Sequence, residues 1–171
     1  MTEEIDALLR RYDQGMMSRR ELLGALGAAL AVAPVHAQPP SALGPVRQLN
    51  HVTVFVPDVA KSAKFYQDLF GMTVLTRQDS GVNLDCGAGF LGIYPAPGGA
   101  AASINHLCLG LDKFDADATL KTLTDRGVKA RIRQRGDTKE LYLTDPDGLS
   151  VQLQDTTYIG GTGPLGNQKP R

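Results

Sequence analysis

The chain has 171 residues, room for one domain of ordinary size with a short extra segment at an end. Apolar residues make up 42% and charged residues 21%, and 18 basic side chains offset 18 acidic ones, so no net charge draws a nucleic acid or a membrane surface. Two cysteines, Cys86 and Cys108, are too few for a disulfide framework and lack zinc-site spacing; they read as small buried hydrophobes.

Ser18-Arg19-Arg20-Glu21 opens an apolar, Gly/Ala-rich run from Leu22 to Val35, which ends at Val35-His36-Ala37 with small residues where a signal peptidase needs them. Paired arginines directly before such a run are similar to a twin-arginine export signal. The run is shorter than the roughly 20 residues that span a bilayer, so no stable membrane insertion is expected. Residues 1–37 are therefore expected to be an export signal and the protein to be periplasmic or secreted, the competing reading being an amphipathic surface helix from Glu3 to Leu30. Residues 38–46 read as a Pro-rich linker. At the other end, Gly160 to Arg171 is rich in glycine and poor in apolar residues, so 157–171 is expected to be a flexible tail.

Between these ends the sequence repeats itself. Leu49-Asn50-His51 followed by Val52-Thr53-Val54-Phe55-Val56 recurs, 55 residues later, as Ile104-Asn105-His106 followed by Leu107-Cys108-Leu109-Gly110-Leu111. A helical apolar spacing follows each strand: Val59, Ala63, Tyr66 and Phe70, then Phe114, Ala118, Leu120 and Leu123. Gly71 and Gly127 stand where each helix should stop. Three short strands come next in each copy, at about 72–77, 82–86 and 90–94, then 129–135, 140–144 and 149–154. The predicted fold is α+β: two βαβββ modules, 47–97 and 103–156, in one domain over 47–156 with a shared core.

The period of two assigns faces. Val52, Val54 and Val56 belong under a helix, as do Leu107, Leu109 and Leu111, and Leu149, Val151 and Leu153. His51, Thr53, Phe55, His106, Cys108, Ser150, Gln152 and Gln154 are left to line a common cavity.

This order, with Phe65-Tyr66-Gln67-Asp68-Leu69-Phe70-Gly71-Met72 closing the first helix and Leu141-Tyr142-Leu143-Thr144-Asp145-Pro146-Asp147-Gly148 forming the last hairpin, resembles the vicinal oxygen chelate family of glyoxalases, ring-cleaving dioxygenases and bleomycin-resistance proteins. The resemblance implies a divalent ion, iron, manganese or zinc, held by His51, His106 and the residue four places after Gly148. That residue is Gln152, where metal-binding relatives carry glutamate. A glutamine offers an amide oxygen without charge and would hold an ion less tightly. Glu140, one strand away, is a candidate substitute ligand or base. The fourth ligand of glyoxalase I relatives falls on Ile93 or Tyr94, neither suited to the task. A small substrate that chelates the metal through two adjacent oxygens is implied, for dioxygenase, isomerase or lyase chemistry. The alternative is a non-catalytic binding protein with its cleft at a homodimer interface.

Glu140 and Tyr142 are thus the catalytic candidates, and Thr53, Phe55, Asn83 and Cys108 are expected to shape the pocket. Lys129, Arg131, Arg133 and Arg135 share one strand face, where Arg131 and Arg133 could hold an anionic group of the substrate. Charged protection of a sheet edge is the plainer reading of that stripe. The Asp145-Pro146-Asp147-Gly148 segment is read as a turn.

Overall fold

The computed structural model describes residues 2–31, 43–78 and 80–169. It divides into two units, 1–39 and 40–171. The first holds two helices, α1 (Thr2–Asp13) and α2 (Arg19–Ala31), in place of one continuous amphipathic helix. The chain turns between them at Gly15 (φ 69°). Ser18 caps α2 in a reciprocal box: its backbone N–H and hydroxyl donate to Glu21 Oε2 at 2.7 and 2.8 Å, and the Glu21 N–H donates to Ser18 Oγ at 3.3 Å. Among the described residues no helix is long and apolar enough to cross a membrane. The expected cleavage site Val35-His36-Ala37 and the linker as far as residue 42 lie outside the described residues.

The second unit has the element order read from the repeat. The first copy is β1 (Val46–Val56), α3 (Val59–Phe70), β2 (Val74–Arg77), β3 (Val82–Asp85) and β4 (Phe90–Pro95). The second is β5 (Ser103–Leu111), α4 (Ala116–Asp125), β6 (Ala130–Arg135), β7 (Thr138–Thr144) and β8 (Ser150–Asp155). Both helices start on an aspartate, Asp58 accepting from the Lys61 N–H and Asp115 from the Ala118 N–H, each at 2.9 Å. They end at Gly71 and Gly127, whose φ values of 68° and 75° are left-handed.

The eight strands make one mixed sheet in the order β2-β3-β4-β1-β5-β8-β7-β6, a sequence that reads the same from either end once the copies are equated. The pseudo-twofold runs between β1 and β5, which pair antiparallel, and each pairs in parallel with the last strand of its own copy. The sheet curls into a half-barrel.

The expected shared core is corrected to two. Leu111, Phe114, Ala116, Leu123, Leu141 and Leu153 cluster in the copy that contains α4, and Val56, Ala63, Val82, Leu84 and Ile93 in the copy that contains α3. Each helix covers the outer face of its own strands, which leaves the inner faces to polar side chains. Leu149, expected beneath a helix, precedes β8 and is exposed.

The expected flexible tail is corrected as well. Residues 157–169 fold back as a strap, with Tyr158 buried and Ile159 N–H donating to the Gly166 carbonyl. The strap ties both copies: Thr76 Oγ1 and Asn83 Nδ2 donate to the Ile159 carbonyl, while Thr138 Oγ1 donates to the Gly163 carbonyl at 2.6 Å. Buried polar side chains on the inner face supply partners that a glycine-rich segment, whose backbone is unscreened by side chains, can reach.

Candidate functional site

The inner face encloses a cavity of about 480 Å³. His51 and His106 meet at its floor, with Nε2 atoms 3.1 Å apart. A β-bulge explains how each ring is held. The β1–β5 register skips Asn50 between Leu49 and His51, and skips Asn105 between Ile104 and His106. The inserted residue breaks the alternation of faces and brings each asparagine beside the histidine that follows it. Asn50 Oδ1 lies 2.9 Å from His51 Nδ1, and Asn105 Oδ1 lies 2.7 Å from His106 Nδ1.

This arrangement sets the tautomers. The Asn50 amide is oriented by its Nδ2, which donates to the Tyr158 carbonyl at 3.0 Å, so its oxygen faces His51 and the proton sits on Nδ1. Burial, then the proximity of His106, pulls the His51 pKa down to about 3 against the opposing bond to Gln152. Burial likewise takes His106 down to about 4. Asn105 Oδ1 lies at the His106 Nδ1, both rings are neutral near pH 7, and with both protons on Nδ1 the two Nε2 lone pairs would face each other in a geometry suited to a shared cation.

Gln152 completes the floor. It is 1% exposed, pairs with Cys108 in the β5–β8 register, and its Nε2 has no hydrogen-bond partner. Two ligand nitrogens at about 2.0–2.1 Å from one ion, at angles near 90–110°, would stand roughly 3 Å apart. The observed separation therefore fits two imidazole ligands on one divalent ion, with the Gln152 amide hydrogen-bonded beside both rings. Among the described residues no group of three His, Cys, Asp or Glu side chains converges, and the Gln152 amide is the polar group bonded beside both imidazoles.

Glu140 is not placed to substitute. It is 2% exposed, and its Oε1 accepts from Arg135 Nε and the Tyr158 hydroxyl, each at 2.9 Å. Its Oε2 accepts from Arg133 Nε at 2.7 Å and the Tyr142 hydroxyl at 3.1 Å. Burial alone would push this carboxyl up, but the Arg133 charge and the Arg135 hydrogen bond outweigh it and hold the group below the usual carboxylate range. A saturated carboxylate of lowered basicity is a poor base; it orients arginines and tyrosines.

Thr53, Phe55, Asn83, Arg131, Arg133 and Tyr142 line the same cavity as the histidines. Cys108 does not. It is fully buried between its register neighbours His51 and Gln152, whose longer side chains reach past it, and burial raises its thiol pKa. Cys86, expected to be buried, is exposed, and both cysteines are free. The register also corrects the fourth-ligand position. The counterpart of Gln152 in the first copy is Gly92, opposite Thr53, while Ile93 belongs to the outer core and Tyr94 lines the cavity. A Cβ at Gly92 would stand 2.9 Å from Thr53 Oγ1, so packing itself keeps a side chain away.

Four site residues escaped the sequence reading. Asn50 and Asn105 were visible only as an Asn-His pair repeated at the same offset. Phe90 stacks on the His51 ring (centroids 4.2 Å apart, interplanar angle 16°), and Tyr158 stacks on it at 5.6 Å. Nothing in the local pattern of either residue marked it.

Comparison with known proteins agrees with the architecture. Residues 48–153 match the model of the Glyoxalase/Bleomycin resistance protein/Dioxygenase superfamily. The chain is 27% identical over 119 residues to the metallothiol transferase FosB of Staphylococcus saprophyticus, covering 66% of this chain and 79% of that protein. It is 26% identical over 115 residues to the glutathione transferase FosA of Serratia marcescens, covering 63% and 80%. Among solved structures, methylmalonyl-CoA epimerase from Mycobacterium tuberculosis superposes with a TM-score of 0.55 at 18% identity, over 69% of this chain and 91% of that one. BphC, a halotolerant catechol dioxygenase, superposes with a TM-score of 0.53 at 16% identity, over 70% and 42%.

Proposed function

The chain belongs to the Glyoxalase/Bleomycin resistance protein/Dioxygenase superfamily, and on that premise we propose that it is a metal-dependent enzyme acting on a small substrate that presents two adjacent oxygens. The observation that carries this reading is the pair of Nε2 atoms 3.1 Å apart, each ring neutral and anchored through Nδ1. His51, His106 and the Gln152 amide oxygen would hold iron, manganese or zinc, which would supply Lewis acidity to the bound oxygens.

The protein's own residues do the rest. Asn50 and Asn105 hold the imidazoles in the liganding tautomer. Thr53 and Phe55 form the wall beside His51, and Tyr142 the wall beside His106, its ring edge-on at 5.4 Å. Phe90 and Tyr158 exclude water from the His51 side by covering its ring. The metallothiol transferase among the relatives supports a metal at this floor, since its name couples a metal to its chemistry.

The test is metal analysis of the purified full chain after equilibration with iron, manganese or zinc. About one ion per chain is expected, lost in His51→Ala and in His106→Ala. Failure of the unaltered protein to acquire any of the three would remove the enzyme reading. A binding protein without catalysis is the second reading. It is favoured by Glu140, whose bonding leaves the lining no free carboxylate base among the described residues. Residues 1–37 are further proposed to be a twin-arginine export signal, on the strength of Arg19-Arg20 and the short apolar run behind them.

A further inference from the structure

Arg131, Arg133 and Arg135 alternate along β6 and all reach the cavity, but their guanidinium groups differ in what they already hold. Arg135 has each nitrogen engaged: Nε on Glu140, Nη1 on Gln78 at 3.3 Å, and Nη2 on the Gly161 carbonyl at 3.0 Å. Arg133 gives Nε and Nη2 to Glu140 and remains 55% exposed. Arg131 makes no ion pair or side-chain hydrogen bond among the described residues. Its guanidinium carbon stands 5.0 Å from the centre of the Tyr142 ring, and that of Arg133 stands 5.7 Å from it. Both guanidinium groups thus lie against the Tyr142 ring, and Arg131 keeps its N–H groups for a ligand.

Charge points the same way. Among the described lining residues one carboxylate, Glu140, faces three arginines. Past Tyr142 the cavity continues into a second hollow of about 220 Å³, which shares Arg131, Tyr142 and Ser150 with it and adds Lys129 and Thr144, two more donors and no acid. β6 is an edge strand, and charge there does block pairing with another sheet. Edge protection, however, is met by charges pointing either way, and the pairing with Glu140 that draws Arg133 and Arg135 inward does not extend to Arg131.

We propose that this wall is an oxyanion subsite, in which Arg131 and Arg133 hold the carboxylate or phosphate group of a small acid. The proposal deepens the metal-site reading and rests on it for one point, that the other end of the acid lies at His51 and His106. The subsite itself needs no metal. Two guanidinium groups match the paired oxygens of either anion, and both would be bound through charge-assisted hydrogen bonds.

The test uses the full chain freed of metal by a chelator, titrated at low ionic strength with inorganic phosphate and, separately, with acetate. Binding is followed by calorimetry and by the side-chain NMR signals of the arginines. Saturable binding at one site is expected, unchanged in the absence of metal, with the Arg131 and Arg133 signals shifting together; the anion held more tightly identifies the group. Arg131→Gln should weaken it about tenfold. Arg131→Lys, which keeps the charge but loses the fork, should fall between the two. Arg131 is exposed and bonds to no other residue among those described, so the fold survives either change. Absence of saturable binding by both anions, or affinities in Arg131→Gln within twofold of the unaltered chain, would overturn the proposal. Neither result bears on whether the histidines bind metal.

Discussion

An amide stands at position 152 where a carboxylate would carry a charge, and the strength of the proposed metal centre turns on that difference. Gln152→Glu removes a buried Nε2 that has no partner and places an anionic oxygen beside two neutral imidazoles. Changes in the groups behind a ligand already move metal affinity 10–100-fold, so replacing the ligand itself should tighten binding by at least about tenfold. Competition against a chelator of known affinity measures this, and an unaltered constant would show that residue 152 holds no ion. Glu140 makes a different prediction. Its pKa is lowered on folding, so its contribution to stability is present above the unfolded carboxylate value near 4.3 and is lost as pH falls through the folded value. Glu140→Gln should cost roughly 2 kcal/mol at pH 7, less than a fully buried pair because Arg133 is half in water. The urea midpoints of the two proteins, apart at pH 7, should converge in acid. Parallel midpoints down to pH 3 would mean that the ion pairs contribute nothing.

Two kinds of element position the site, the bulged strands and the strap. Each bulge adds one residue to a central strand and converts a regular polar/apolar alternation into an Asn-His unit whose amide oxygen meets the Nδ1 of the cavity histidine. The strap puts Tyr158 against both His51 and Glu140. If 157–169 is folded as described, Tyr158→Ala removes a buried ring and should destabilise the chain by about 3 kcal/mol, whereas in a loose tail the same change would be almost silent. Tyr158→Phe keeps the stacking and loses the hydroxyl donor to Glu140, so it should cost only about 1 kcal/mol. Chemical denaturation of the three proteins checks the order, and equal midpoints would return the segment to a tail.

For the whole molecule, the proposed export step predicts that the Arg19→Lys, Arg20→Lys double variant accumulates in the cytoplasm while the unaltered chain is recovered from the periplasm. Cell fractionation measures it, and unchanged periplasmic recovery would count against a twin-arginine route. The repeat, the strand and helix order, the two histidines and the cavity-facing arginine stripe were legible in the sequence because each depends on local periodicity or on self-similarity at a fixed offset. His51, Thr53 and Phe55 share a face by the geometry of a strand, whatever surrounds them. Asn50 and Asn105 escaped that same rule, since a bulge arises from the pairing of two strands far apart in the chain and leaves no mark within either. Glu140 looked like a free ligand until Arg133, Arg135, Tyr142 and Tyr158 converged on it, four donors from β6, β7 and the strap. Local pattern was enough for the strands and helices of both copies and for the alternation of faces along their regular stretches. Which polar groups are already paired and which still seek a partner emerged with the folded arrangement, because hydrogen-bond satisfaction depends on residues brought together from across the chain.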